Sequence, residues 1–330
     1  MSYLSPLANH LDELYARLKS DTRGELATYI PELANADPDL FGLCLASLDG
    51  DLHSAGDATA LFTMQSVSKP FVYAIALADR GIDEVCTRVG VEPSGEPFNA
   101  ISLEPETGRP ANPMINAGAI VTCSLVRAAD PVERFQRIVD VLSRFAGRRL
   151  DLDEAVYASE LETGDRNRAL AYLMRNTGLL QSPVEEAIDV YFRQCALLVT
   201  AEDLAVMAVT LASGGVNPRT GTTVTDARIV EHVLTVMATC GMYDFSGEWL
   251  LRAGLAAKSG VSGGLLAVSP SFFGIGLFSP RLDARGNSIR GVDACGALAD
   301  RFDIHLMRRR ADHRDVVARD ERAAPAQFQR

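Results

Sequence analysis

Strand-like segments stand at both ends of this chain, and helical periodicity fills the span between them. Phe41 to Leu48 is short and apolar, Asp49-Gly50 supplies an Asp-Gly turn, and Asp51 to Gly56 can return antiparallel. Far downstream, Leu255 to Ser259, Gly264 to Ser269 and Gly274 to Ser279 alternate with Gly and Pro turn signals, as adjacent antiparallel strands do. Between these ends, INAGAIVTCSLVRAA, PVERFQRIVDVLSRFAG, RNRALAYLMRNTG and PVEEAIDVYFRQCALLV repeat apolar residues at helical spacing. The expected architecture is therefore α/β of the α+β type. An all-helical domain, residues 85–199, is inserted into a discontinuous sheet domain built from 1–84 and 200–307. The Pro-, Gly- and Asn-rich loop from Glu92 to Pro113 is expected to connect the two lobes. The Arg-, Asp- and Ala-rich tail, 308–330, has few large apolar residues and is expected to be disordered.

Local signals refine the ends of several helices. The amino-terminal residues Met1 to Ser20 read as an amphipathic helix with acids interspersed, unlike a signal peptide. A second short helical segment, GELATYIPEL, is expected to hold Tyr29 until Pro31 interrupts it. Leu61 to Met64 runs straight into Gln65-Ser66-Val67-Ser68-Lys69-Pro70. Pro70 is tolerated only in a first helical turn and Gly81 suits a left-handed stop, so a helix should start close to Ser66. Thr200-Ala201-Glu202-Asp203 reads as a capping box for a helix ending at Gly214, and Thr225 to Cys240 as another helix.

Charge narrows the partners. With 32 basic against 43 acidic residues the formal charge is −11, which disfavours nucleic acid and anionic membrane while leaving small zwitterions open. No apolar run is long enough to span a bilayer, and the expected location is the cytoplasm. The six cysteines lie far apart without a C-x-x-C pair and read as buried, reduced thiols. The five histidines are scattered too, so a metal hydrolase is not expected.

Only three of the 32 basic residues are lysines, Lys19, Lys69 and Lys258. Arginine cannot give up its proton at accessible pH, whereas a desolvated lysine can become a base. Ser66 and Lys69 are spaced i, i+3, so a helix start would place both on one face, with the helix field favouring a developing alkoxide. Taken alone, the pair could equally be an N-cap serine followed by an exposed lysine. Lys258-Ser259-Gly260 lies in the glycine-rich segment AAKSGVSGG. Penicillin-recognising enzymes pair an S-x-x-K with such a K-[ST]-G on a facing strand. Their intermediate S-x-N or Y-x-N element is absent here, which argues against an ordinary β-lactamase or penicillin-binding protein.

Ten motifs in order carry a more specific likeness: YIPEL, PDLFG, MQSVSKPF, VGVEPSG, PMINAGAI, YASE, RNRALAYLM, YFRQC, GMYDFSG and KSGVSGG. From Tyr29 to His305 the chain resembles the serine-dependent glutaminases of the β-lactamase/transpeptidase-like fold. The resemblance implies an antiparallel sheet flanked by helices, an inserted helical domain, and hydrolysis of L-glutamine to L-glutamate and ammonia without a cofactor. It makes Ser66 the nucleophile and Lys69 the general base. It assigns substrate contacts to Tyr29, Ser66, Asn116, Glu160, Asn167, Tyr191, Tyr243 and Val261. Among these Glu160 is the only carboxylate, suited to an α-ammonium, and the amides of Asn116 and Asn167 can donate to an α-carboxylate. The backbone N–H groups of Ser66 and Val261 suit an oxyanion. Tyr191 and Tyr243 are both candidates for passing a proton to the leaving ammonia, in place of the missing S-x-N serine. Lys258 is expected near the site, either touching substrate or supporting its strand. Ala196 follows Cys195 where a small hydroxyl residue is the family expectation, a change in packing.

Taken one at a time, these residues have plainer readings. Glu160 would be an exposed helical charge, Asn116 a cap, Asn167 a surface residue and Tyr191 a core tyrosine. The competing functions are another serine amidohydrolase or peptidase of the same fold, and a non-catalytic amino-acid sensor. The resemblance also implies a homo-oligomer, dimer or tetramer.

Overall fold

The computed structural model describes residues 5–96 and 100–308. Its strands are β1 (Gly42–Ser47), β2 (Leu52–Gly56), β3 (Phe62–Thr63), β4 (Leu198–Val199), β5 (Ala256–Ser259), β6 (Gly264–Ser269) and β7 (Phe273–Phe278). Five of them form one antiparallel sheet in the order β2-β1-β7-β6-β5. The Asp49-Gly50 turn joins β1 to β2 as expected, with Gly50 at φ +88°. β1 then pairs with β7 from the far end of the chain, Leu43 opposite Leu277, so the sheet closes only after the helical span has been made.

The helices are α1 (Ser5–Leu18), α2 (Lys69–Arg80), α3 (Ile82–Arg88), α4 (Asn116–Leu125), α5 (Pro131–Ala146), α6 (Glu154–Thr163), α7 (Asp165–Asn176) and α8 (Val184–Cys195). After them come α9 (Ala201–Ala212), α10 (Ala227–Cys240), α11 (Ser246–Arg252) and α12 (Ile289–Phe302). Thr200 caps α9 through the expected capping box with Asp203. β3 and β4 pair antiparallel where the chain leaves the sheet region and returns to it, Phe62 opposite Val199.

The sheet separates two apolar cores. Leu43, Leu45, Ile275 and Leu277 pack with α1, α11 and α12 on one face. On the other, α9 lies directly on β7 because that strand carries glycine at alternate positions. A Cβ on Gly276 would stand 2.0 Å from the Ala201 carbonyl oxygen, and one on Gly274 would stand 2.2 Å from Val209 N. The FGIGLF pattern is thus a strand with one face stripped to backbone so that a helix can approach. That second core runs on through Phe71, Ile120, Leu142, Ile188 and Met207, tying α2, α4, α5 and α8 to α9.

Two expectations need correction, and a third falls outside what is described. Tyr29 is not in a helix: it precedes a 3-10 turn, Pro31–Asn35, and Pro31 opens that turn instead of interrupting one, because its fixed φ and missing N–H suit a first position. Cys86 is only half-buried, whereas the other five cysteines are buried; all six are free thiols. The tail expectation falls on 309–330, outside the described residues, leaving only Arg308, which pairs with Asp300 at 2.5 Å.

Candidate active site

The turn that carries Ser66 is tighter than an α-helix. Met64 N donates to the Leu197 carbonyl at 2.8 Å, tying the end of β3 to the segment before β4. Gln65–Ser68 then forms one 3-10 turn, and α2 starts at Lys69 with Pro70 beside it. Val67 N is the first to donate back, to the Met64 carbonyl at 3.0 Å, so Ser66 N–H precedes the ladder and is left for another acceptor. In a 3-10 turn residues i and i+3 eclipse, so Ser66 and Lys69 share one edge of the turn, and Lys69 N donates to the Ser66 carbonyl. Gln65 adopts φ +48°, a left-handed conformation costing about 1 kcal/mol or more in a residue with a Cβ. Its carbonyl is held by the Ser68 hydroxyl at 2.8 Å, which in turn accepts from Gln194 at 3.2 Å.

Lys69 is buried, with Nζ donating to Asn116 Oδ1 at 2.6 Å and to the Met114 carbonyl at 3.3 Å. Both acceptors are neutral. Burial therefore dominates and pulls the amine down from 10.5 to about 8, against smaller upward contributions from Cys195 and Glu160. Asn116 Nδ2 donates one of its two hydrogens to Asn167 Oδ1 at 2.9 Å, which leaves one N–H for a ligand. The two asparagines expected to bind a carboxylate are thus already chained to the lysine.

Glu160, an exposed helical charge on the plain reading, is buried at 5% exposure near the end of α6. Gln65 Nε2 donates to its Oε1 at 2.7 Å. Burial pushes its carboxyl up from 4.5 to about 8, only partly opposed by Gln65 and Lys69. The pocket in front of it is lined by Tyr29, Ile30, Gln65, Ser66, Asn116, Glu160, Thr163, Gly164, Arg166, Asn167, Tyr191, Phe192 and Cys195. Tyr29 is half exposed, yet its phenol is driven well above the usual range by burial, with Tyr243 and Glu160 adding, so the oxygen end is the inner one. Tyr191 is buried on α8, and its hydroxyl interacts with the Cys195 thiol one helical turn on. Cys195 itself is pushed far above the usual thiol range by burial, which makes it inert packing.

Tyr243 is buried and is not among the residues that line this pocket. It lies in a 3-10 turn before α11 at φ +59°, donates its hydroxyl to the Ser259 carbonyl at 2.9 Å, and interacts with the Ser66 side chain. The two tyrosines open as proton carriers are not equivalent: Tyr243 interacts with Ser66 itself, whereas Tyr191 lines the pocket beside Ser66 and interacts with Cys195. Val261 is buried in the turn between β5 and β6, just past Gly260, whose added Cβ would meet the Met64 carbonyl at 3.0 Å. That contact places the turn against the Ser66 segment. Lys258 is fully buried, does not line the pocket, and donates to the Ser259 carbonyl at 2.6 Å.

The glutaminase family model matches residues 24–307, most of the chain. The chain belongs to the glutaminase family. A glutaminase from Nostoc sp. is 50% identical over 302 residues, 92% of this chain and 90% of the relative. Glutaminase 2 of Bradyrhizobium diazoefficiens is 52% identical across 96% of this chain, which spans only 50% of that longer relative. Among solved structures, Mglu in its glutamate form superposes with a TM-score of 0.90 at 49% identity, over 94% of this chain and 71% of Mglu. The expected β-lactamase-like α+β fold is the fold these glutaminases share.

Gln65 and Arg166 are among the glutaminase pocket residues that sequence reasoning left unassigned. Gln65 stood inside the quoted MQSVSKPF motif, but its left-handed φ and its bond to Glu160 leave no mark in composition or periodicity. Arg166 lines the rim beside Asn167 inside RNRALAYLM, where a surface arginine is the ordinary reading.

Proposed function

We propose that Ser66 is the nucleophile of this glutaminase and Lys69 its general base. The enzyme hydrolyses the side-chain amide of L-glutamine to L-glutamate and ammonia. In this reading Ser66 Oγ attacks the amide carbon while its proton passes to the neutral amine of Lys69, and the backbone N–H groups of Ser66 and Val261 receive the oxyanion. Collapse breaks the C–N bond, and ammonia leaves with a proton delivered through Tyr243. Water then attacks the glutamyl ester, Lys69 takes its proton and returns it to Ser66 Oγ as the ester C–O bond breaks, and glutamate departs. Glu160 holds the α-ammonium, and Asn167 with Tyr29 and Tyr191 takes the α-carboxylate end; Asn116 chiefly orients Lys69.

The observation that carries the reading is Lys69: a buried amine held by Asn116 at 2.6 Å, lowered by burial to about 8, at the end of the 3-10 turn that carries Ser66. Lys69→Arg tests it, because a guanidinium keeps the charge and cannot accept a proton. Both Lys69→Arg and Lys69→Ala are expected to lose ammonia release by about a hundredfold or more. An active arginine variant would make Lys69 an electrostatic residue and move the base elsewhere.

The same reading places the enzyme in the cytoplasm as a homo-oligomer, a dimer or tetramer. Six free thiols suit a reducing compartment, and no helix among the described residues is long and apolar enough to cross a membrane. Exposed Leu161, Tyr172 and Leu173 on α6 and α7 offer apolar area for a second copy. Cell fractionation tests the first assignment, and light scattering tests the second.

A further inference from the structure

One buried lysine has no part in that reaction. Lys258 sits on β5 with Ala256, on the sheet face that packs with Met64 and Val67 of the Ser66 segment. It is fully buried, and burial with Lys69 nearby holds its amine far below the usual range. A methionine would fill the same space without the cost of desolvating an amine, so the nitrogen needs an explanation. Its Nζ donates to the Ser259 carbonyl at 2.6 Å and lies 4.2 Å from the centre of the Tyr243 ring. The Ser259 carbonyl is the oxygen that also accepts the Tyr243 hydroxyl at 2.9 Å. One carbonyl, with two lone pairs, thus receives both groups, and the phenol it holds is the one that interacts with Ser66. Tyr243 also has a strained backbone, at φ +59°, which only fixed surroundings keep in place.

We propose that Lys258 is a positioning residue for glutamine hydrolysis: it clamps the Ser259 carbonyl and covers the Tyr243 ring, so that the Tyr243 hydroxyl stays aimed at Ser66. The inference rests on the proton-carrying role given to Tyr243 above. Because Lys258 stands behind the pocket wall, its loss should slow the chemical step and leave substrate binding nearly alone.

The test is a double-mutant cycle on the full-length enzyme with Lys258→Met, Tyr243→Phe and the pair, reading kcat and KM for L-glutamine. Lys258→Met should lower kcat by about tenfold or more with KM changed less than about threefold. In the Tyr243→Phe background the same change should cost less than about threefold, since the hydroxyl it positions is gone. Lys258→Gln, which keeps an N–H donor, should recover part of the loss. Additive effects, or an unaltered kcat in Lys258→Met, would overturn the inference. An unaltered kcat in Tyr243→Phe would refute the role of Tyr243 and with it this inference, while leaving Ser66 and Lys69 untouched. Should both Lys258 variants fail to fold, the three lysines still give a three-signal ε-carbon NMR spectrum. Tyr243→Phe must then shift the Lys258 signal, and an unmoved signal is the contrary result.

Discussion

A carboxyl titrating near 8 cannot hold an ammonium at neutral pH without first losing its proton, and this makes ligand binding pH-dependent in a way that Glu160→Gln should erase. Glu160 is buried in the pocket and raised to about 8, with Gln65 donating to Oε1. An α-ammonium entering that space stabilises the carboxylate, so below about pH 8 binding releases a proton and weakens by about tenfold, or 1.4 kcal/mol, per pH unit. From pH 8 down to pH 6 the affinity for L-glutamine should therefore fall by about a hundredfold. Calorimetry on the Ser66→Ala variant reads binding without turnover. Glu160→Gln in that background removes the charge-assisted bond, worth about 1.5 to 3 kcal/mol, or roughly ten- to a hundredfold in affinity at pH 8. Near pH 6 parent carboxyl and mutant amide are both neutral, so the two titrations should converge. Lys69, also near 8, is coupled to Glu160, so the pH dependence of the parent belongs to the pair and the mutant reports Lys69 alone. N-acetylglutamine, which has no ammonium, should show little of this difference. A parent affinity flat between pH 6 and 8, or an equal loss for both ligands on Glu160→Gln, would show that Glu160 is not the ammonium site.

The same raised carboxyl bears on stability. A group whose folded value is raised binds its proton more tightly when folded, so its contribution falls as pH rises from the unfolded value of 4.5 to about 8. Glu160→Gln should therefore raise the Tm of the ligand-free enzyme at about pH 8 by several degrees and change it little at about pH 5, as scanning calorimetry can show. Gln65→Met keeps the volume and removes the donor to Glu160. It should raise KM for L-glutamine by about tenfold at pH 8 with a smaller effect on N-acetylglutamine, and equal losses would confine Gln65 to a structural role.

How far the sequence could be read depended on what each feature owes to local chemistry. The β1–β2 turn, the capping box at Thr200, the stop at Gly81 and the glycine-spaced strands were visible because Asp-Gly, Thr-x-x-Asp and Gly each act within a few residues. The 3-10 geometry at Ser66 was not visible, since Pro70 marks a first turn without saying which kind precedes it. Tyr29 was misplaced because Pro31 breaks and opens helices with equal ease. The depth of Glu160 could not be read from an acidic stretch. It comes from α6 packing beside the Ser66 turn, a contact across ninety-five positions between Gln65 and Glu160. The functional set itself emerged from the joint pattern of ten motifs, because each of its members alone had an ordinary explanation.

The acyl-enzyme on Ser66 is the central claim, and competition with hydroxylamine tests it most directly. If glutamine passes through a glutamyl ester, added hydroxylamine should divert product to γ-glutamylhydroxamate, with glutamate falling by the same amount while ammonia release is not reduced. Ser66→Ala should then yield neither ammonia nor hydroxamate while still binding glutamine. Ammonia and glutamate formed in equal amounts with no hydroxamate, or hydroxamate still produced by Ser66→Ala, would contradict the account.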